Sequence, residues 1–340
     1  MVCAPLLLSL EPHLLYDHFG FPDSQQAVYS TATARPFFGG RCGLDIDMEL
    51  VLHHINFWRY HMVREAEQTL FHAFSALEDA EKPQWWTSQL GQGDKTFGKY
   101  WKGSFAFLDP EDLDDFRKLS DPYSPSRNAN EDAGPQIFQD IFAGENNGFA
   151  FQDMQLSVLP DDAKMPWPKA FEQHLNSLTP PTPTSPTTSS VRTRAQKRSD
   201  SASGTPDSIA SFKPLSFRFD GEGVDDEAFL ASGWLNPLPV QHGIPGWRRL
   251  TMMKYYELPG EEEGPGVYSA NVDWNGLWAY EGVVLPGGKV VVGRWWSPRA
   301  LQEGEEVYSG PFVLWCVDGA EGYRVWDEEE EGDAEGEKVV

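Results

Sequence analysis

Two stretches late in the chain are apolar at almost every position: Val290-Val-Val-Gly-Arg-Trp-Trp296 and Gly310-Pro-Phe-Val-Leu-Trp-Cys-Val317. Successive side chains of a strand point to opposite faces, so strands of this kind must be covered on both. A sheet with one wet face is thereby excluded, and a covering layer has to come from elsewhere in the sequence.

The segment Asp47–Asp79 supplies that layer. Val51, Ile55, Trp58, Met62, Ala66, Leu70, Phe74 and Leu77 recur at steps of three or four, which predicts one amphipathic helix. Arg64, Glu65, Glu67 and Gln68 fill its polar positions, and Pro83 stops it. We assign residues 46–82 to this helix and expect residues 1–45, broken up by Gly and Pro, to form an irregular arm.

Beyond Gly98 the period becomes two. Trp101, Gly103, Phe105 and Phe107 share one face of a strand, with Lys102, Ser104 and Ala106 on the other. Asp109-Pro110 then predicts a short helix through Leu119. Strands are expected around 100–107, 148–158, 215–221, 229–235, 247–257, 276–285, 289–296 and 310–318, with a tight turn at Pro286-Gly-Gly288. From residue 215 onward most connections are short, which favours antiparallel neighbours. Eight antiparallel strands close into an up-and-down barrel, and closure removes the edges that such aromatic strands would otherwise expose.

The predicted fold class is therefore mainly β (α+β): an eight-stranded antiparallel barrel with the N-terminal helix packed outside. Residues 97–178 and 213–318 form its two parts. Between them, residues 179–212 are rich in Ser, Thr and Pro, a composition that buries too little apolar surface to order itself, and predict a disordered insert. Residues 319–340 form an acidic tail.

Three short motifs carry a resemblance. Trp101-Lys-Gly103 on the first strand, Phe219-Asp-Gly-Glu-Gly-Val-Asp225 at a turn and Gly293-Arg-Trp-Trp296 late in the chain resemble a calycin (lipocalin-like) barrel. That resemblance implies a basic side chain crossing the first-strand Trp, roles that Arg294 and Trp101 match. The chain departs from lipocalins in lacking a secretory signal and disulfides. Trp278–Gly288 and Gly293–Trp296 are also similar to segments of intracellular proteins of filamentous fungi.

Charge and motifs exclude several functions. With 27 basic and 52 acidic residues the net charge is −25, which repels nucleic-acid phosphates and anionic membranes. Cys3, Cys42 and Cys316 are odd in number and far apart, unlike a disulfide framework or a zinc site. The apolar start lacks a basic flank and is cut short by Pro5 and Glu11, so no signal peptide is expected. The sequence holds no nucleophile elbow, phosphate-binding loop or dinucleotide fingerprint. His53, His54, His61, Glu65 and His72 lie on or beside the helix, but not at the spacing of a helical zinc motif, and no metal is expected. Asp220, Glu222, Asp225 and Asp226 fail the calcium-loop pattern and read as a solvated turn. No cofactor is expected.

The remaining candidates are side chains for the barrel interior: Trp101, Phe105, Phe217, Phe219, Met253, Tyr255, Glu281, Arg294 and Trp295. No catalytic residue is assigned. Glu281 is expected to pair with Arg294 or Lys254 across strands. The first functional expectation is a monomeric intracellular binding or adaptor module for a protein segment or a small apolar ligand. The alternatives are an enzyme using Glu281 as acid/base and Arg294 as anion anchor, and a substrate receptor in a ubiquitin pathway. In the insert, Arg192, Arg194, Lys197 and Arg198 form a candidate nuclear import signal. Thr182, Ser185 and Thr205, each followed by Pro, are candidate phosphorylation sites. Residence in the nucleus or cytoplasm, not secretion, follows.

Overall fold

The Leu285–Gly288 turn fixes the register of a late hairpin. Gly287 and Gly288 adopt φ of 96° and 69°, a left-handed region that glycine reaches without penalty. The Gly288 amide donates to the Leu285 carbonyl at 3.0 Å, which sets Val284 beside Val291. In the computed structural model the described residues are 20–31, 34–40, 43–65, 69–83, 97–120, 137–142, 151–159, 217–256, 276–298 and 308–318.

In chain order the elements are α1 (Phe21–Val28), β1 (Phe38–Gly39), β2 (Asp45–Ile46), α2 (Met48–Val63), α3 (Thr69–Ala76), β3 (Tyr100–Phe107), α4 (Pro110–Ser120) and β4 (Ile141–Phe142). They continue as β5 (Gln152–Val158), β6 (Phe217–Val224), β7 (Ala228–Pro237), β8 (Arg248–Tyr255), β9 (Trp278–Val284), β10 (Val290–Trp296) and β11 (Ser309–Cys316). Strands β5 to β11 pair antiparallel in sequence order, β5 pairs back to β3, and β11 pairs with β3. This last pairing, Phe312 opposite Phe105 and Leu314 opposite Gly103, closes a barrel of eight strands. The eight expected strands are those that form the ring, their ends shifted by a few residues.

The wall is covered as its two-sided apolar sequence requires. Val291, Trp295, Phe312 and Leu314 pack inside with Trp101, Met154, Phe219, Phe229 and Met252. Val290, Val292, Val313 and Trp315 pack outside against Leu50, Val51, Ile55, Trp58 and Met62 of α2 and Leu70 and Phe74 of α3. Each fully buried side chain of that stripe contributes about 1.5–3 kcal/mol of transfer free energy.

Two expectations change. The helix over Asp47–Asp79 is two helices: Asp47 caps α2 by accepting from the Leu50 amide, and α2 ends at Arg64, whose backbone is extended. The arm over residues 1–45 contains α1 and the β1–β2 pair. Pro22 sits in the first turn of α1, where its missing N–H costs nothing, and Asp23 accepts from the Gly20 amide at 3.1 Å. Helix α1 is anchored through Asp140, a buried carboxylate between β4 and the helices. Gln25 Nε2 donates to it at 2.8 Å, Tyr29 Oη at 2.6 Å and His61 Nε2 at 3.0 Å. Three donors on one carboxylate offset the cost of burying it.

Candidate functional site

The two ends of the barrel differ. At the end where β3 begins, Phe97 stacks on Trp101 with ring centres 4.6 Å apart, and the Trp101 indole donates to the Gly98 carbonyl at 2.8 Å. Asp318 accepts from the amides of Lys99 and Tyr100 at 2.8 and 2.6 Å, tying the beginning of β3 to the end of β11. Lys289 Nζ donates to the buried Cys316 sulfur at 3.1 Å. This end is plugged by side chains.

At the other end the interior opens into a cavity of about 420 Å³. Phe105, Phe107, Trp278, Tyr280, Trp295 and Tyr308 form most of its wall, with Tyr256, Lys254 and the Asp225–Glu227 turn completing it. The rings hold one another in edge contacts: Trp278 to Trp295 at 5.2 Å, Trp295 to Tyr308 at 5.4 Å and Trp295 to Phe105 at 6.0 Å. The Trp295 indole donates to the Ala106 carbonyl at 3.1 Å and the Tyr308 hydroxyl to the Leu108 carbonyl at 2.9 Å, so these polar tips are satisfied by backbone.

One ion pair lies in this apolar wall. Lys254 Nζ donates to Asp225 Oδ2, and both side chains are almost fully buried. The pair is positioned by the β6–β7 connection. Asp225 Oδ1 accepts from the Glu227 amide at 3.3 Å, and the Asp225 amide donates to the Glu227 carbonyl at the same distance. Aromatic rings surround the ammonium, with centres at 4.1 Å for Phe229, 5.2 Å for Phe105 and 5.4 Å for Tyr256. Burial pulls the Lys254 ammonium below its ordinary value, while Asp225 acts in the opposite direction. Burial, and next the charge of Asp225, push the Tyr256 and Tyr280 phenols up, so both stay protonated.

The expected interior residues divide by face. Trp101, Phe105, Phe217, Phe219 and Trp295 belong to the interior, and Phe105 and Trp295 line the cavity. Met253 and Tyr255 do not: they pack on the outer wall with Leu277 and Ala279. Glu281 and Arg294 are also on the outer wall, opposite one another in the β9–β10 register and of opposite parity to the inward Gly282 and Gly293. Glu281 makes its ion pair with Arg249; among the described residues it makes none with Lys254, and it acts on Arg294, its partner in the register, through its charge alone. Arg294 lies 5.7 Å from the Phe37 ring and donates to the Arg35 carbonyl at 3.1 Å. It cannot cross Trp101, whose side chain is inside the barrel; Phe97 occupies the place expected for it.

Lys254, Asp225, Tyr256, Trp278 and Tyr280 were not among the expected interior residues. Both alternate sets of β8 mix apolar and basic residues, Arg248, Leu250, Met252 and Lys254 against Arg249, Thr251, Met253 and Tyr255, so its sequence alone does not say which set points inward. The register carries the missing signal. Leu250 faces Gly282 and Met252 faces Gly233, large side chains filling space that inward glycines leave, and Lys254 continues their row.

The helix histidines serve packing and anchoring. His54 bonds the Leu50 carbonyl at 3.0 Å, His53 lies 3.2 Å from the Ser24 hydroxyl, and His61 meets Asp140. Among the described residues no helix is long and apolar enough to cross a membrane. Arg192, Arg194, Lys197, Arg198, Thr182, Ser185 and Thr205 lie outside the described residues, as does the acidic tail.

No protein-family model, curated protein or solved structure matches the chain. The closed eight-stranded barrel is compatible with a calycin-like fold at the level of architecture.

Proposed function

We propose that this chain is a binding module whose barrel holds a small, largely apolar, uncharged ligand in the cavity at its open end. The carrying observation is the cavity itself. Its volume of about 420 Å³ falls in the range of small-molecule sites, and its wall is aromatic with a few polar groups converging on it. A barrel packed solid along its whole length would leave only its surface for recognition. The side chains expected to act in an interior enzyme, Glu281 and Arg294, are on the outer wall, so the binding reading is the better supported one. The same reading keeps the module in the nucleus or cytoplasm, on the basic run around Arg192–Arg198.

Titration of the full chain with the uncharged dye N-phenyl-1-naphthylamine tests this. Fluorescence should rise to saturation at one dye per chain. Phe107→Trp, which adds volume to the cavity wall, should weaken binding. A linear, non-saturating rise that ignores the substitution would remove the proposal.

A further inference from the structure

The Lys254–Asp225 pair limits which polar group a cavity ligand can bring. A carboxylate ligand would place a second anion against Asp225, in a wall that also carries Asp226 and Glu227. A cationic ligand would meet the Lys254 ammonium. An uncharged group that reacts with the amine without disturbing the pair satisfies both constraints. A carbonyl is such a group.

We infer that Lys254 is a covalent capture site for an apolar, conjugated or aromatic aldehyde, held as a protonated imine with Asp225 as its counter-ion. The inference rests on the cavity being a ligand site, as argued above, and adds the ligand's chemical class. Three structural facts carry it. Lys254 is a primary amine lining a 420 Å³ aromatic cavity, it is shielded from bulk water, and a carboxylate touches its Nζ.

The step balances within these groups. Asp225 takes a proton from the Lys254 ammonium, freeing the Nζ lone pair. That lone pair attacks the carbonyl carbon, forming the C–N bond while the C=O π pair moves to oxygen. The carbinolamine oxygen leaves as water, using the proton returned by Asp225 and one from nitrogen as the C=N bond closes, with no oxidant or reductant involved. Overall, ammonium plus aldehyde gives iminium plus water, so the buried charge is conserved and Asp225 faces a cation both before and after the reaction. The rings of Phe229, Phe105 and Tyr256 around Nζ suit a delocalised iminium as they suit the ammonium. Burial, which lowers the proton affinity of Lys254, raises the fraction of reactive amine.

Cinnamaldehyde is the probe. Added to the full chain, it should give a red-shifted near-ultraviolet band. Cyanoborohydride should then fix one adduct per chain, mapped by peptide mass analysis to Lys254. Lys254→Arg, which keeps the charge but cannot form this imine, should lose the adduct, and Asp225→Asn should shift the band back to the blue. Labelling of Lys254 no faster than that of an exposed amine such as Lys118 overturns the inference, and the wild-type peptide map decides this even where variants fail to fold. If Lys254 stays unlabelled while cinnamyl alcohol still displaces the naphthyl dye, the capture chemistry is wrong and the cavity remains a ligand site. If neither compound competes with the dye, or the dye itself does not bind, both readings fall.

Discussion

Arg294 Nη2 on β10 donates to the main-chain carbonyl of Arg35 at 3.1 Å, from the outside of the barrel. Arg35 in turn reaches Asp47, the cap of α2, at 3.4 Å and Glu49 at 3.4 Å. The arm before α2 is thus fastened to the wall by a guanidinium that is nearly fully buried, with Nε and Nη1 lacking a hydrogen-bond partner among the described residues. Burial draws its pKa down to about 10, so it is charged at neutral pH.

This arrangement separates two substitutions. Arg294→Ala removes the bond to Arg35 and leaves a hole beside Phe37, and should cost about 1–3 kcal/mol. Arg294→Met fills the space and removes a charge that is incompletely paired, so it should cost less than half of that. Urea midpoints of the two variants against the parent chain give the comparison; equal losses would mean the charge itself is what holds the arm.

His54 predicts a pH dependence. Its ring is fully buried, Nδ1 donates to the Leu50 carbonyl, and burial lowers its pKa from the ordinary 6.5 to about 3. Below pH 6.5 the unfolded chain takes up a proton that the folded chain refuses down to about pH 3. Stability should therefore fall as the solution is acidified through that window, with a slope approaching about 1.4 kcal/mol per pH unit from this residue. His53, lowered first by burial and then by Arg35, adds in the same direction. His54→Leu should flatten the curve between pH 6.5 and 5, a change that equilibrium unfolding at stepped pH would detect.

Gly293 permits the close approach of β9, β10 and β11. A Cβ there would lie 2.3 Å from the Glu281 carbonyl oxygen and 2.4 Å from the Phe312 ring. Gly293→Ala should destabilise by at least about 1–3 kcal/mol through overpacking. Gly39→Ala, where a Cβ meets nothing within 4 Å, should stay within about 0.5 kcal/mol of the parent. Thermal denaturation of both variants distinguishes the positions, and similar behaviour would argue against the packing described for the wall.

The fold was legible because alternation and closure are strong constraints. Val290–Trp296 and the β11 sequence demanded two covered faces, and the stripe through Val51, Ile55, Trp58 and Met62 supplied the outer cover. The break after Val63 was hidden because the apolar stripe stays in step through Ala66 to Leu70 and Phe74, while Arg64, Glu65, Glu67 and Gln68 fit the polar positions of a continuous helix. Helix α1 was hidden by its glycine and proline, which mark its start but also resemble loop punctuation. The site was only half legible. Phe105 and Trp295 sit on strands whose glycines fix the inward face, whereas β8 has apolar and basic residues on both sides and its parity comes only from its neighbours. A one-residue shift exchanges Met253 and Tyr255 for Lys254 and Tyr256, and the same ambiguity put Glu281 and Arg294 inside when they are outside.

The indole N–H signals of an isotope-labelled full chain test the account most directly. Trp295 donates to Ala106 at the cavity wall, and Trp315 donates to the Glu81 carbonyl on the outer face. Titration with an uncharged aromatic ligand should move the Trp295 signal to saturation while Trp315 stays fixed. A Trp295 signal that does not move, or that moves no more than Trp315, would contradict a ligand cavity at the open end of the barrel.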